Sequence, residues 1–276
     1  MKTFPAFDGK VCVITGAASG IGRQLAVQLA ASGARLALSD INEEGLAETM
    51  EMIGPSNQHM VDRLDMADAK GIAAYAPKVE AQLGKADYVF NNAGFARIGE
   101  FRNTTAEQYE SIIDVNFYGV VRMSKAFLEQ LIATRGGLVN VSSIFGIVGW
   151  PGQAHYCASK FGVRGFSEAL SMEMEEHGVR VSCVHPGGVK TNVARNAPVD
   201  HLPDSNVTKA QLDENFDRNT YTSAERAAEI ILTGVARGDQ RILVGPDAKF
   251  METWSRLLPV RYRKMVQKRN SRFTAT

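Results

Sequence analysis

The feature that most constrains this chain is an alternation of short apolar runs with longer amphipathic stretches, sustained from residue 11 to residue 244. Val11–Thr15, Arg35–Asp40, His59–Asp65, Tyr88–Asn91, Leu138–Ser142, Val179–His185 and Arg241–Val244 read as strands. Ile21–Ser32, Glu43–Ile53, Ala69–Leu83, Thr105–Thr134, Gln153–His177 and Ala224–Ala236 read as helices. Strand following helix following strand requires crossovers, and crossovers give a parallel sheet covered on both faces. The predicted fold is therefore doubly wound α/β, in one domain over residues 1–250. Within it, residues 192–222 form an irregular, Asn-, Asp- and Pro-rich substrate loop with a short helix at Lys209–Asp217. Residues 251–276 are set apart as a basic amphipathic tail.

Sheets of this kind bind ligands beyond the carboxyl ends of their strands, so the residues that follow each strand carry the functional information. After the first strand comes Thr15-Gly16-Ala17-Ala18-Ser19-Gly20-Ile21-Gly22. A glycine turn opening a helix offers free N–H groups and a partial positive charge to a pyrophosphate. Asp40 ends the second strand, where a carboxylate can accept hydrogen bonds from ribose hydroxyls and repels a 2′-phosphate. That favours NAD over NADP. Arg23 and Arg35, the nearest basic residues, lie neither in the turn nor just after Asp40.

Tyr156 and Lys160 stand four apart on a predicted helix and so share a face. Ser143 lies just beyond the strand ending at Ser142. Carbonyl reduction needs a proton donor beside the oxygen while hydride reaches the carbon. An ammonium beside the phenol is expected to lower its ordinary pKa of about 10, and Ser143 is placed to hold the substrate oxygen.

With these motifs in view, the chain resembles the short-chain dehydrogenase/reductase family from about Gly9 to Thr191. The resemblance implies a Rossmann-like fold and a role for each matching position. Gly16, Ser19, Gly20, Ile21 and Gly22 would form the cofactor turn. Asp65 and Met66 would meet the adenine, and Asn92, Ala93 and Gly94, after Asn91, would support the sheet beneath the adenosine. Pro186, Gly187, Val189 and Thr191 would hold the nicotinamide carboxamide. Tyr156 would be the general acid/base, with Lys160 lowering its pKa and binding the nicotinamide ribose. Ser143 would orient the carbonyl, and Asn116 would support a water-linked proton relay to the lysine. The resemblance also implies a homodimer or homotetramer through Thr105–Thr134 and Gln153–His177.

Phe95, Phe145 and Trp150, with the apolar run from Ile144 to Pro151, predict an apolar secondary alcohol or ketone substrate of steroid, terpenoid or long-chain type. Two other readings stand beside this one: an NADPH-dependent ketoreductase, and a dinucleotide-sensing binding protein without turnover. His59, His155, His177, His185 and His201 follow no metal-ligand spacing, so no metal is expected. His155 and Cys157 read as packing residues. The three scattered cysteines and the lack of an apolar leader or long apolar run predict a reducing, cytoplasmic setting.

The formal net charge of +1 hides an asymmetry. From Trp254 onward the chain has seven Lys and Arg residues and no acid. This tail is expected to cover acidic surface of its own or a neighbouring subunit, to lie on an anionic membrane, or to touch nucleic acid. The last has only one basic helix in its favour, and no nucleic-acid partner is expected.

Overall fold

The computed structural model describes residues 2–54, 58–191, 197–201, 208–218 and 220–274. The strands are β1 (Val11–Thr15), β2 (Arg35–Asp40), β3 (His59–Arg63), β4 (Tyr88–Asn91), β5 (Ile98–Gly99), β6 (Gly137–Val141), β7 (Arg180–Pro186), β8 (Val189–Lys190), β9 (Val199–His201), β10 (Thr222–Ser223) and β11 (Arg241–Val244). The helices are α1 (Gly20–Ala30), α2 (Glu43–Ile53), α3 (Ala69–Leu83), α4 (Ala106–Ile113), α5 (Gly119–Thr134), α6 (Ala154–Glu173), α7 (Lys209–Arg218), α8 (Ala224–Arg237), α9 (Pro246–Leu257) and α10 (Tyr262–Thr274).

Seven strands form one parallel sheet in the order β11-β7-β6-β4-β1-β2-β3. The order reverses between β1 and β4, which opens a crevice above their carboxyl ends. Burial on both faces explains the unbroken apolar strands. Cys12 and Ile14 enter one core with Leu25, Leu29 and Ile231. Val11 and Val13 enter the other with Val79, Phe127 and Leu131. All five β1 residues are buried, and each large apolar side chain so placed contributes about 1.5–3 kcal/mol. A third, smaller cluster joins Ile144, Ile147 and Val148 to Ala248 and Met251 of α9 and Val266 of α10.

Three expectations need revision. The helix predicted across Thr105–Thr134 is interrupted by a π-helical turn at Asp114–Tyr118, where the Gly119 N–H reaches back to the Asp114 carbonyl. Periodicity cannot reveal one extra residue in a turn, and such bulges gather at functional sites. The helix predicted to His177 ends at Glu173. The acids Glu173, Glu175 and Glu176 face the negative end of the helix dipole there, and turns through Gly178 finish the segment. Finally, α9 runs through residues 250 and 251, where a boundary was expected. The tail continues the domain's own packing.

Of the irregular stretch 192–222, residues 192–196, 202–207 and 219 lie outside the described residues. In the rest, α7 takes the place of the short helix expected at Lys209–Asp217, β9 pairs with β5 just after Phe95, and β10 pairs with β8.

Candidate active site

The site is built on the ends of β1, β2, β4, β6 and β7, as the strand order requires. At β1 the Thr15 hydroxyl accepts the Asn92 and Ala93 N–H groups at 3.1 and 3.0 Å. The Asn92 amide returns the bond to the Thr15 and Gly16 carbonyls at 3.1 and 3.2 Å. This lock draws the chain so close that a Cβ on Gly16 would stand 2.8 Å from Ala93 Cα, and its φ of +69° already favours glycine. Just beyond, α1 begins after Ser19, whose side chain makes no capping bond. The first-turn N–H groups of Gly20, Ile21 and Gly22 therefore lack intrahelical acceptors and face the crevice mouth. This bare helix start behind a turn of small residues suits a pyrophosphate, so the residues present fit a dinucleotide.

Asp40 is half-buried at the end of β2. Its carboxylate accepts the N–H groups of Ala18 and Asn42, each at 3.0 Å. Those bonds aim it at the glycine turn and leave lone pairs for a ribose. Arg23 is committed elsewhere, to the Ala18 carbonyl, Gly45, Thr49 and Glu48. Arg35 bonds the Gly9 carbonyl, at the far end of its strand. Asp65 and buried Met66 lie beyond β3, with the Met66 carbonyl accepting from Arg122 at 3.3 Å.

The polar groups expected to carry chemistry converge above β6. Ser143 caps the short turn that follows, accepting the Phe145 N–H at 3.1 Å. It also lies close enough to the Tyr156 phenol to favour its ionised form. Tyr156 and Lys160 project from one face of α6, with the ammonium 5.7 Å from the phenol ring centroid. Lys160 is 3% exposed and donates to the Val141 carbonyl at 2.9 Å. Ser142 points away and holds the Lys160 carbonyl at 2.8 Å, fixing α6 to β6.

The electrostatics differ from the sequence expectation. Burial pushes the Tyr156 phenol up to about 12, and the neighbouring Ser143 hydroxyl offsets this only in part. The same burial pulls Lys160 down to about 8. Sequence spacing places the pair on one face but says nothing of desolvation, which is the largest cause of both shifts.

Asn116 sits in the π-helical turn and is fully buried. Its amide clamps Phe95, accepting that N–H at 3.0 Å and donating to that carbonyl at 2.9 Å. It also donates to Ser159 at 3.3 Å. A Cβ on Gly94 would come within 2.9 Å of Asn116 Oδ1 and 3.3 Å of Lys160 Nζ. Asn116 and Lys160 thus face each other across Gly94, with the Asn116 side chain occupied by its clamp.

Phe145 stacks on Trp150 with centroids 5.4 Å apart and meets the Tyr156 ring edge-on at 6.2 Å. Both aromatics pack against the third cluster. Pro186 ends β7, Gly187 and Gly188 follow, and Val189 is buried in β8. Thr191 Cγ2 lies where a Cβ on Gly20 would be 3.2 Å away, so the β7 loop closes over the start of α1.

Two residues escaped the sequence reading. His185 is fully buried in β7 with its ring Nδ1 3.2 Å from the Ser143 carbonyl. Burial holds it near 4, so the ring is neutral and its Nδ1–H supports that carbonyl. Asp247, at the start of α9, accepts the Gly188 N–H at 2.6 Å. An acid in a helix's first turn is a faint signal of an anchor, and nothing in the sequence links it to a loop 59 residues earlier. His155, 2% exposed, has its ring centroid 6.1 Å from that of Tyr109, and Cys157 is buried. Among the described residues no three His, Cys, Asp or Glu side chains converge as a metal site would require.

Residues 10–201 match the short chain dehydrogenase family. The chain is 46% identical over 266 residues to the oxidoreductase SadH of Mycobacterium tuberculosis, covering 95% of each protein. It is 34% identical over 190 residues to the 3-oxoacyl-[acyl-carrier-protein] reductase FabG of Escherichia coli, covering 68% of this chain and 77% of that one. A short chain dehydrogenase/reductase from Burkholderia phymatum, solved with NAD, superposes with a TM-score of 0.82 at 27% identity, covering 91% of this chain and 94% of the other. An alcohol dehydrogenase from Thermococcus sibiricus, complexed with 5-hydroxy-NADP, gives 0.73 at 26% identity, covering 85% and 95%. The chain belongs to the short-chain dehydrogenase/reductase family of oxidoreductases, with that family's Rossmann-like NAD(P)-binding fold.

Proposed function

We propose that this protein interconverts an apolar secondary alcohol and its ketone, using NAD. The carrying observation is the convergence of Ser143, Tyr156 and buried Lys160 at the ends of the strands, against an aromatic neighbour. The nicotinamide, when bound, supplies or accepts the hydride. Gly16 and the start of α1 would hold its pyrophosphate, Asp40 the adenosine ribose, and the loop from Pro186 to Thr191 the carboxamide end.

In reduction, Ser143 and Tyr156 would both hydrogen-bond the ketone oxygen. As hydride reaches the carbonyl carbon, the Tyr156 hydroxyl proton passes to that oxygen, giving the alcohol and a phenolate. Lys160 would stabilise that phenolate by charge, and solvent would then reprotonate it. Oxidation runs the steps backwards and needs the phenolate first. Burial keeps the phenol protonated far above neutrality. At neutral pH the phenol is therefore the protonated donor that reduction needs, and oxidation should rise with pH from there.

Phe95, Phe145 and Trp150 would form an apolar substrate wall, and none of the three offers a charge to an acidic substrate. Partial exposure of Phe161 and Met172 on α6 supports the homodimer or homotetramer implied by the family.

The test follows reduced-cofactor absorbance for the enzyme with NAD, then NADP, against apolar and charged secondary alcohols. Tyr156→Phe should lower kcat by about 10²–10⁴-fold with cofactor affinity kept. Asp40→Ala should narrow the gap between NAD and NADP. Turnover confined to small charged hydroxy acids would overturn the substrate assignment, and full activity of Tyr156→Phe would overturn the mechanism.

A further inference from the structure

Helix α9 turns two different faces outward and inward. Ala248, Met251 and Glu252 are buried against the domain. Phe250, Trp254 and Leu257, at spacings of four and three, fall on the opposite side and are 47%, 39% and 71% exposed. Phe250 and Trp254 bring their rings to 5.9 Å. Val260, in the turn to α10, extends the stripe and is 69% exposed. Four large apolar side chains standing together in solvent mark an interaction surface.

The charges around the stripe say what it meets. Lys249, Arg261, Arg263 and Lys264 are all exposed. Among the described residues, none of the four has an acidic partner. Arg256 beside them is paired, with Glu252 at 2.6 Å. The tail therefore does not neutralise acidic surface of its own domain through these residues. Its folded segment instead presents Trp, Phe and Leu beside unpaired Lys and Arg. That arrangement suits the boundary between headgroups and acyl chains: aromatic and aliphatic groups enter the apolar layer, and cations stay with anionic lipid phosphates. No helix among the described residues is long and apolar enough to cross a membrane, so this contact would be peripheral.

We infer that the α9–α10 corner docks this protein onto an anionic lipid surface through Phe250, Trp254, Leu257 and Val260, ringed by Lys249, Arg261, Arg263 and Lys264. The inner face of the same helix packs on Ile144, Ile147 and Val148, which back the aromatic substrate wall. Docking there brings that wall to the lipid boundary, where apolar alcohols concentrate. The surface itself stands independently of the proposed reaction, because binding can be measured without turnover.

The experiment is co-sedimentation of the full-length protein with phosphatidylcholine vesicles, with and without about 30 mol% phosphatidylglycerol, at about 0.1 M and about 0.5 M salt. The partition coefficient should be roughly tenfold or more higher with the anionic lipid and should fall at high salt. Phe250→Glu/Leu257→Glu should lower it at least tenfold, and Arg263→Glu/Lys264→Glu should do the same. All these positions are exposed, and the melting temperature serves as the folding control. Met52→Glu, 53% exposed on α2, should bind like the parent. Absence of sedimentation with either vesicle, or binding indifferent to the α9 double substitution, would overturn the inference. So would loss of a dimer in sedimentation velocity for that variant with no lipid binding by the parent, which would assign the stripe to a second copy of the chain.

Discussion

At the scale of single residues, the site is held at an energetic cost, and Lys160 carries a measurable part of it. Its ammonium is buried with one backbone carbonyl as partner, and its pKa falls from an ordinary 10.5 to about 8. A group depressed in this way stabilises the fold above its unfolded pKa and loses that contribution as pH falls through the folded value. At pH 7, therefore, Lys160 works against folding. Lys160→Met should remove turnover yet raise stability by about 1–2 kcal/mol at pH 7, after allowing for the Val141 carbonyl left unpaired. The gain should shrink as pH rises from about 8 towards 10. Urea melts of both proteins at pH 7 and 9.5 check this, and an equal gain at both values would contradict it. The sequence pairs Tyr156 with Lys160 through spacing alone. It cannot show that the phenol is raised and the lysine lowered, because both shifts come from burial beneath residues distant in sequence.

At the scale of elements, strands buried on both faces were the most legible, since continuous apolar runs admit few other readings. β1, β2, β4 and β11 fall where the pattern puts them. The π-helical turn carrying Asn116 was hidden inside an amphipathic stretch that reads as one helix. Hidden too was the dependence of the β7 loop on α9, a contact across 59 residues that no local pattern encodes. Asp247 binds the Gly188 N–H at 2.6 Å, and a Cβ on Gly187 would collide with its carboxylate. Loop and helix start are thus fitted to each other. Asp247→Ala should free the loop and raise the KM for NAD by roughly 5- to 100-fold, matching about 1–3 kcal/mol for a lost charged hydrogen bond. It should change kcat much less, because it touches neither Tyr156 nor Ser143. Cofactor titration by fluorescence, alongside steady-state kinetics, separates the two. A fall in kcat at unchanged KM would place Asp247 in the chemistry instead.

At the scale of the whole molecule, the tail shows why composition and structure answer different questions. From Trp254 onward, seven positive charges without an acid set it apart in the sequence. The structure packs it into the domain, because Val266 is 3% exposed in a cluster with Ile147, Val148 and Met251. Charge is read from exposed positions, whereas attachment depends on the few apolar ones between them, Tyr262, Met265 and Val266. The tail's attachment can therefore be broken without changing its positive charges. Val266→Asp buries a carboxylate with no cation in that cluster and should cost about 2–4 kcal/mol, enough to lift α10 from the domain. Phe145 and Trp150 would then lose their backing, while the glycine turn and Asp40, on the far side of the sheet order, keep theirs. The expected outcome is a kcat/KM for apolar alcohols reduced tenfold or more, with the dissociation constant for NAD within about twofold of the parent's. Equal losses in both would mean that the tail supports the fold as a whole. A loss in neither would mean that the third cluster does not shape the substrate wall.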